Sequence, residues 1–305
     1  PVTAISVLHS HPSWLVEHIL AGASVEEAVA ICRANNTLPP TVLRVNTLKA
    51  SRDTAITALE REGFAATATP LSPDGIVLSS PAAALRTGEC YRAGLVRIQD
   101  EASQLISRLV DPAAGERILD LCAGSGGKTL HLAALMENHG SVTAVDIHPP
   151  RLDMLRAEAD RLGVTIVETR TGDASAAVDP FRDRFDRVLL DAPCSGLGTL
   201  RRNPEIRWRI SPADIRRCAE LQTSLLACAA EYVRPSGLLV YSVCTVTPEE
   251  NEEVIAAFLK SHPGFTTQSG APLPRAVFDA TGFFRTAPYL HGTDGFFAAV
   301  LRRRA

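Results

Sequence analysis

Apolar residues follow an irregular mixture of helical and strand-like spacings over the first 90 residues. Trp14 to Leu20 and Val25 to Arg33 have the spacing of short helices, and Thr41 to Leu48 alternates like a half-buried strand. Ser51 is a suitable N-cap for a further helix. Two more short strands are predicted near Phe64–Thr69 and Ile76–Ser79. Together these patterns predict an α+β domain over residues 1–90.

From about Tyr91 the pattern becomes a regular succession of buried strands and helical segments. The predicted strands are Arg117–Leu121, Ser141–Ile147, Val164–Glu168, Arg187–Asp191 and Leu238–Val243. Helices are predicted between them, among them Gly127–Glu137 and Arg151–Leu162. This alternation is typical of a parallel, doubly wound sheet, in which ligands bind at the carboxyl ends of the strands. We therefore expect residues 91–305 to form an α/β domain with its site at that edge.

Composition adds bounds on the class of protein. The chain has 305 residues, 46% of them hydrophobic, which suffices for an α/β core and a smaller second domain. The formal net charge is −3, so any surface that binds nucleic acid must be a local basic patch. No apolar run approaches the roughly 18 residues of a membrane helix, and we expect no membrane association.

The cysteines and the first residues indicate the compartment. There are seven cysteines, an odd number, and none forms a C-x-x-C pair, which argues against a disulfide framework or a structural zinc site. The segment from Pro1 to His11 lacks the charged-then-apolar layout of a secretory signal. We expect a cytoplasmic protein that holds no metal.

A glycine-rich loop, residues 120–129, follows one predicted strand and opens a helix. A P-loop ending at Thr129 needs glycine at the position of Cys122, and a dinucleotide fingerprint starting at Gly124 needs glycine at the position of Thr129. Asp146 ends the next strand, where its carboxylate can accept hydrogen bonds from both ribose hydroxyls. The loop and Asp146 predict a nucleoside-cofactor site, and they suit NAD and S-adenosylmethionine equally.

Two predicted strands run into loops that each carry a cysteine. One loop reads DAPCSGLG over residues 191–198, and the other begins with Cys244 and reads CTVTPEENE. Two such cysteines at one sheet edge, with Asp191 near Cys194, suit a reaction that needs a thiolate and a proton donor. Methylation of cytosine at carbon 5 is such a reaction: a thiolate adds to carbon 6, carbon 5 becomes nucleophilic, and a base later removes its proton.

The motifs along nearly the whole chain resemble those of one family. They are HPSWLVE at 11–17, LRVNTLK at 43–49, QDEASQL at 99–105, the glycine loop, DAPCSGLG at 191–198, RRNPEIRW at 201–208, YSVCT at 241–245 and HGTDGFF at 291–297. The chain is similar to the RNA cytosine-5 methyltransferases of the Sun/NSUN group, most closely to the bacterial ribosomal-RNA members. The resemblance implies a Rossmann-like S-adenosylmethionine-dependent methyltransferase domain preceded by a smaller α+β RNA-binding domain.

The same resemblance implies roles for particular residues. Cys244 would be the nucleophile and Cys194 would assist product release, while Lys128 would organise the site and Asp191 would lie near the target base. Asp173 would face the adenine. The residues expected to hold S-adenosylmethionine are Cys122, Ala123, Gly124, Ser125, Gly126, Gly127, Lys128, Asp146, Asp173 and Asp191. The expected substrate is small-subunit ribosomal RNA, with transfer RNA as the alternative.

A basic and aromatic cluster follows the first cysteine loop. It consists of Arg201, Arg202, Arg207, Trp208 and Arg209. Arginines and an aromatic ring at the mouth of a site suit a flipped base and its flanking phosphates. We therefore predict RNA binding by the first four residues. The alternative is a solvated loop in which Trp208 serves as a packing anchor.

Three other functions compete with the RNA methyltransferase interpretation. A DNA cytosine-5 methyltransferase would use Cys194 as nucleophile and would need a large recognition region, but only 49 residues separate Cys194 from Cys244. A nicotinamide-dependent oxidoreductase would explain Asp146 but leave the two cysteine loops unexplained. A catalytically inactive RNA-binding protein would lack a reacting group, and every expected group is present in the sequence.

Overall fold

The computed structural model describes residues 1–79, 83–176, 181–268 and 272–305. The chain opens with three helices, α1 (Val2–His9), α2 (Ser13–Leu20) and α3 (Val25–Asn35). Ser24 caps α3 by accepting the Glu27 N–H at 3.2 Å. The sequence pattern had indicated α2 and α3 but not α1. Among the described residues, no helix has both the length and the apolar composition that a bilayer crossing requires.

An antiparallel sheet of four strands follows, in the order β2-β3-β1-β4. Its strands are β1 (Thr41–Val45), β2 (Ala66–Ala68), β3 (Gly75–Leu78) and β4 (Val96–Ile98), accompanied by α4 (Arg52–Arg61) and the short α5 (Glu89–Arg92). The hydroxyl of Ser51 accepts the Thr54 N–H, as expected of the N-cap of α4. β4 lies beyond residue 90 and pairs with β1, with Ile98 opposite Leu43. We therefore propose that the N-terminal unit extends to Ile98 rather than ending at residue 90.

The larger sheet has eight strands in the described part of the chain, in the order β10-β12-β9-β8-β5-β6-β7 with β11 paired to β12. The strands are β5 (Arg117–Leu121), β6 (Ser141–Asp146), β7 (Val167–Thr171), β8 (Phe185–Asp191), β9 (Val233–Val243), β10 (Phe265–Thr267), β11 (Phe284–Thr286) and β12 (Phe296–Arg303). The helices around this sheet are α6 (Glu101–Val110), α7 (Gly127–Leu135), α8 (Pro149–Leu162), α9 (Ile206–Arg209), α10 (Pro212–Tyr232), α11 (Glu252–Ser261) and α12 (Pro288–His291).

Side chains of the central strands alternate between two cores. Leu119 and Leu121 of β5 pack with α10 and α11, whereas Ile118 packs with α6, α7 and α8. Strand β9 behaves in the same way, since Tyr241 lies in the first core and Val240 in the second. Successive side chains of a strand point to opposite faces of the sheet. The sheet is therefore the middle layer of a three-layer α/β structure.

The strands from β5 to β9 are parallel as predicted, but the sheet as a whole is mixed. β12 lies antiparallel to β9, with Phe297 opposite Val243, and β10 and β11 are antiparallel to β12. These C-terminal strands were not predicted. Their antiparallel direction could not be predicted from the pattern either, because an apolar run shows that a strand is buried but not in which direction it runs. β7 begins three residues later than predicted, at Val167, and it is an edge strand whose exposed side chains obscure the hydrophobic pattern.

Candidate active site

The glycine loop turns sharply between β5 and α7. Cys122, Gly124 and Gly126 all have positive φ angles, of 62°, 58° and 80°. At Gly126, the residue before α7, a Cβ atom would also lie 2.5 Å from the Leu155 Cγ atom of α8. Glycine is required there because L side chains rarely adopt this conformation and no space remains. The turn brings the N-terminus of α7 to the carboxyl edge of the sheet, where backbone N–H groups can face a ligand.

Asp146, at the end of β6, is tied to the glycine loop. It is 4% exposed; its Oδ2 accepts the Gly124 N–H and its Oδ1 accepts the His148 N–H, each at 2.8 Å. Oδ1 also lies 3.1 Å from the His148 Nδ1 atom, so Oδ2, with one partner in the described structure, is the oxygen that keeps a lone pair for a ribose hydroxyl. The Asp146 carboxylate at this edge of the sheet therefore suits a nucleoside, because ribose hydroxyls can donate to it.

Asp173 follows β7 and is exposed. Its Oδ1 accepts the N–H and the hydroxyl of Ser175, at 2.8 and 2.7 Å. These two bonds lower the pKa of Asp173, so the carboxylate is ionised near neutral pH. The side chain is held in one orientation by a local turn and is available to a ligand.

The N-terminal sheet holds the backbone of the glycine loop through two arginines that the sequence analysis missed. Arg44, in β1, is fully buried and donates to the Gly127 carbonyl at 2.7 Å. Arg97, in β4, donates to the Ser125 carbonyl at 2.9 Å and pairs with Glu158 of α8. Bonds from a charged donor are stronger than neutral ones. Arg44 stands in the LRVNTLK motif, which marked its segment but not its contact.

Lys128 and Asp191 form an ion pair beside the glycine loop. The Lys128 Nζ atom lies 2.6 Å from Asp191 Oδ2, and the Ser242 hydroxyl donates to Asp191 Oδ1 at 2.7 Å. The Lys128 ammonium also lies 5.1 Å from the centroid of the Phe296 ring, a cation–π contact. The Lys128 side chain is 10% exposed, so the ammonium is held rather than solvated.

The two loop cysteines meet at the ends of neighbouring parallel strands. The Sγ atoms of Cys194 and Cys244 are 3.4 Å apart. The loops approach closely because the Gly198 N–H donates to the Cys244 carbonyl at 3.0 Å, and a Cβ atom at Gly198 would collide with the Gly295 carbonyl oxygen. The hydrogen bond with Cys244 and burial hold the pKa of the Cys194 thiol well above its usual value. Cys194 is therefore a neutral thiol beside the Cys244 sulfur.

Cys122 is a third cysteine at the same edge. Burial, followed by the nearby charges of Asp191 and Asp120, raises its pKa to about 12. A thiol with that pKa is a poor nucleophile at neutral pH. Its raised pKa and its position in the glycine loop therefore distinguish Cys122 from the paired cysteines.

Three of the four predicted RNA-binding residues make contacts within the protein. Arg202 pairs with Asp294 and Asp100, both at 2.8 Å, and the side chain of Arg201, 5% exposed, donates to the Gly292 carbonyl and lies near Asp294. Burial and Asp100 raise the pKa of Asp294 to about 6, opposed by the arginines. These contacts orient the loop that follows Cys194, and they give both guanidinium groups partners within the protein.

The other two predicted RNA-binding residues differ from each other in exposure. Arg207 is 4% exposed and donates to the Ser10 carbonyl, the Asn36 side chain and the Asn35 carbonyl, at 3.2, 2.7 and 3.2 Å. It therefore joins α9 to the N-terminal helices. Trp208 is 64% exposed and is free to stack on a base. RNA binding by all four residues stays a prediction, and Trp208 is best placed for it.

The sheet order β7-β6-β5-β8-β9, the glycine loop after β5 and the acidic end of β6 form a doubly wound domain with a nucleoside-cofactor site, and the paired cysteine loops favour a methyltransferase over a nicotinamide-dependent enzyme. Comparison with known proteins identifies the kind. The family model described as 16S rRNA methyltransferase RsmB/F matches residues 107–302, and its ferredoxin-like domain model matches residues 11–84. The chain belongs to the RsmB/F family of ribosomal RNA methyltransferases. This confirms the family, the fold class and the cofactor predicted from the motifs.

Individual relatives agree with the family models. The chain is 40% identical to the probable ribosomal RNA small subunit methyltransferase B of Bacillus subtilis (strain 168), over 100% of this chain and 69% of the relative. It is 36% identical to a Synechocystis protein of the same description, over 97% of this chain and 67% of the relative. A crystal structure of a methyltransferase homologue from Pyrococcus horikoshii superposes with a TM-score of 0.85 at 30% identity, over 99% of this chain and 98% of that chain. The chain spans about two thirds of the length of the two bacterial relatives.

Proposed function

We propose that this protein methylates carbon 5 of a cytosine in small-subunit ribosomal RNA through a covalent adduct with Cys244. The observation that carries the proposal is the pair of sulfur atoms, 3.4 Å apart, at the ends of β8 and β9. The ion pair between Lys128 and Asp191 stands beside them at the same sheet edge. A thiol pair next to a carboxylate supplies the nucleophile, the base and the hydrogen-bonding group that this chemistry needs.

S-Adenosylmethionine supplies the electrophilic methyl group when it is bound. We assign its binding to residues 122–128, Asp146, Asp173 and Asp191. Asp146 would accept a ribose hydroxyl at Oδ2, because that oxygen has the Gly124 N–H as its one partner in the described structure, whereas Oδ1 contacts both the N–H and the ring of His148. Asp173 would face the adenine, since its carboxylate is ionised and exposed at the end of β7.

The cysteine pair and the ion pair act on the base. The Cys244 thiolate adds to carbon 6 of cytosine, which makes carbon 5 able to accept the methyl group. As the sulfur adds, nitrogen 3 takes up the proton given up by the Cys244 thiol, and Asp191, oriented by Lys128 and Ser242, accepts a hydrogen bond from this N–H and stabilises the adduct. Cys194 then gives its thiol proton to the departing Cys244 sulfur and takes up the carbon 5 proton, and nitrogen 3 returns its proton to solvent as the ring double bond reforms.

The thiol properties support Cys244 rather than Cys194 as the nucleophile. The high pKa of Cys194 keeps it protonated, and its thiol can donate to the Cys244 sulfur. An enzyme of the DNA type would need the opposite assignment.

The substrate class is proposed from the relatives, which are described as ribosomal RNA small subunit methyltransferases. Purified protein should place methyl groups from labelled S-adenosylmethionine on cytosines of small-subunit ribosomal RNA. Nuclease digestion and nucleoside mass spectrometry would show 5-methylcytidine. Label on another atom of the RNA would refute the proposed chemistry, and label in transfer RNA alone would favour the alternative substrate.

The basic cluster gives a prediction that separates structure from RNA contact. Trp208→Ala should weaken RNA binding about tenfold without changing the melting temperature, since stacking on an aromatic ring is worth about 1–3 kcal/mol per base. Arg207→Ala should lower the free energy of unfolding by about 2 kcal/mol, because charged hydrogen bonds to the N-terminal helices are lost. Fluorescence anisotropy with RNA and thermal unfolding measure the two effects. Equal RNA affinity of Trp208→Ala and the parent protein would assign Trp208 to the protein surface alone.

A further inference from the structure

One buried carboxylate, that of Glu250 in the second cysteine loop, lies behind the two cysteines. Glu250 ends a short 3-10 helix, Pro248–Glu250, and is 0% exposed. Its Oε1 accepts the Ser195 N–H at 2.8 Å and the Gln222 side-chain amide of α10 at 3.0 Å. The same Gln222 amide donates to the Pro193 carbonyl, so α10 also holds the segment in front of Cys194.

The second oxygen of Glu250 binds hydroxyl groups from both loops. Its Oε2 accepts the hydroxyls of Ser195 at 2.5 Å, Thr245 at 3.1 Å and Thr247 at 2.8 Å. Ser195 directly follows Cys194, and Thr245 directly follows Cys244. The Ser195 and Thr245 hydroxyls also contact each other at 2.8 Å. A single carboxylate therefore connects the residues next to the two sulfur atoms.

The contacts of this side chain suit a carboxylate, which has two accepting oxygens, better than an amide. An ionised carboxylate only accepts hydrogen bonds, and the five groups around it in the described structure are neutral donors. Burial of a charge is costly unless hydrogen bonds compensate for it, and five donors do so here. An amide at this position would direct its own N–H groups at groups that donate. The backbone carbonyl of Glu250 is held as well, since it accepts the Tyr241 hydroxyl at 2.6 Å.

We propose that Glu250 is a positioning residue that sets the separation of the Cys194 and Cys244 sulfur atoms and so couples nucleophilic attack to product release. The proposal rests on the assignment of these two cysteines as the reacting pair. Glu250 lies behind the two cysteines and acts on their positions through Ser195 and Thr245. Without the carboxylate the loops can move apart, and a misplacement of about 1 Å in an active site can lower the rate about 100-fold.

The first test measures the distance between the sulfur atoms without any methylation. Diamide accepts two electrons and two protons from two thiols, so one disulfide and the hydrazine form of diamide result. In the parent protein it should join Cys194 to Cys244 rapidly, as identified by peptide mass spectrometry. In Glu250→Gln the disulfide should form at least about tenfold more slowly, because proximity sets the rate. Each rate is divided by the rate of N-ethylmaleimide alkylation of the same thiols, which removes changes in thiol acidity.

The matched control is Glu249→Gln, the same substitution at the adjacent residue. Glu249 faces His18 at 3.5 Å and is 34% exposed in its side chain, and Glu250 alone of the two contacts the cysteine loops in the described structure. This control should keep the disulfide rate and the methylation rate of the parent. Ser195→Ala, which removes one hydroxyl and keeps the backbone N–H, should slow the disulfide about threefold to tenfold and serves if Glu250→Gln does not fold.

The second test measures catalysis. Glu250→Gln should lower kcat about 100-fold and leave the affinity for S-adenosylmethionine within twofold, because Asp191 is held by Lys128 and Ser242 and the other proposed cofactor residues lie on other loops. An unchanged normalised disulfide rate in folded Glu250→Gln would overturn the proposal, and so would an unchanged kcat. If Cys244→Ala retains activity, the assignment of the reacting pair fails instead, and the disulfide measurement remains a separate result.

Discussion

Replacing Cys244 with alanine is expected to abolish methylation of RNA, because the adduct at carbon 6 cannot form without this sulfur. Cys194→Ala should behave differently. Cys244 can still attack and carbon 5 can still receive the methyl group, but release stalls when the carbon 5 proton is not removed. A denaturing gel with substrate RNA should therefore show a slow-migrating protein–RNA band for Cys194→Ala that depends on S-adenosylmethionine.

The double substitution is the control for this gel. It should give no band, since the covalent bond runs through Cys244, and Cys244→Ala should give none either. Cys122→Ala provides a further comparison, because its thiol lies in the cofactor loop with a pKa of about 12 and should not carry the adduct. A band in Cys244→Ala but not in Cys194→Ala would make Cys194 the nucleophile and would indicate the mechanism of the DNA enzymes.

Asp191→Asn is expected to lower the rate of methylation by about 100-fold to 1,000-fold, the usual contribution of a hydrogen-bonding group that stabilises charge developing in the transition state. The carboxylate bridges the Lys128 ammonium and the Ser242 hydroxyl, both of which donate to it. An asparagine amide can accept from only one of them through its oxygen, and its N–H groups face the other donor. Single-turnover methylation of RNA, with the cofactor affinity measured separately by calorimetry, checks this expectation.

Ser242→Ala is the matched comparison for Asp191→Asn. It removes one neutral hydrogen bond to the same carboxylate and keeps the charge and the Lys128 contact, so its rate should fall about tenfold or less. An equal loss in the two variants would mean that Asp191 contributes orientation only. A full rate in Asp191→Asn would remove Asp191 from the proposed mechanism.

The hydrophobic pattern was sufficient to predict the order of the strands and helices over residues 91–305. Strands β5, β6 and β8 were predicted to within about two residues, because buried strands in a parallel sheet are short apolar runs followed by turns, whereas β9 begins at Val233, before its predicted start at Leu238. Placement of Cys194 and Cys244 after two such strands was enough to expect them at one edge. The carboxyl ends of parallel strands meet there whatever the loops contain.

The local sequence pattern did not reveal which partners the charged side chains contact. Arg201, Arg202 and Arg207 were predicted to bind RNA from their position beside a cysteine loop, yet their partners are distant in sequence, for example Asp294 and Asn36. The charge of an arginine is visible in the sequence, but its partner is decided by which loops fold against each other. RNA binding by these arginines and Trp208 stays a prediction, for which the exposed ring of Trp208 is best placed.

The sequence by itself determined the family, the cofactor and the two reacting sulfur atoms as candidates, because these depend on residue types at short, fixed spacings. Only the tertiary structure brought Arg44 and Arg97 to the carbonyls of the glycine loop and Glu250 to the backs of both cysteine loops. It also decided that β12 runs antiparallel beside β9. Such contacts join residues from separate elements, and hydrogen-bond geometry between elements is set only when the elements pack, which no period of hydrophobic residues records.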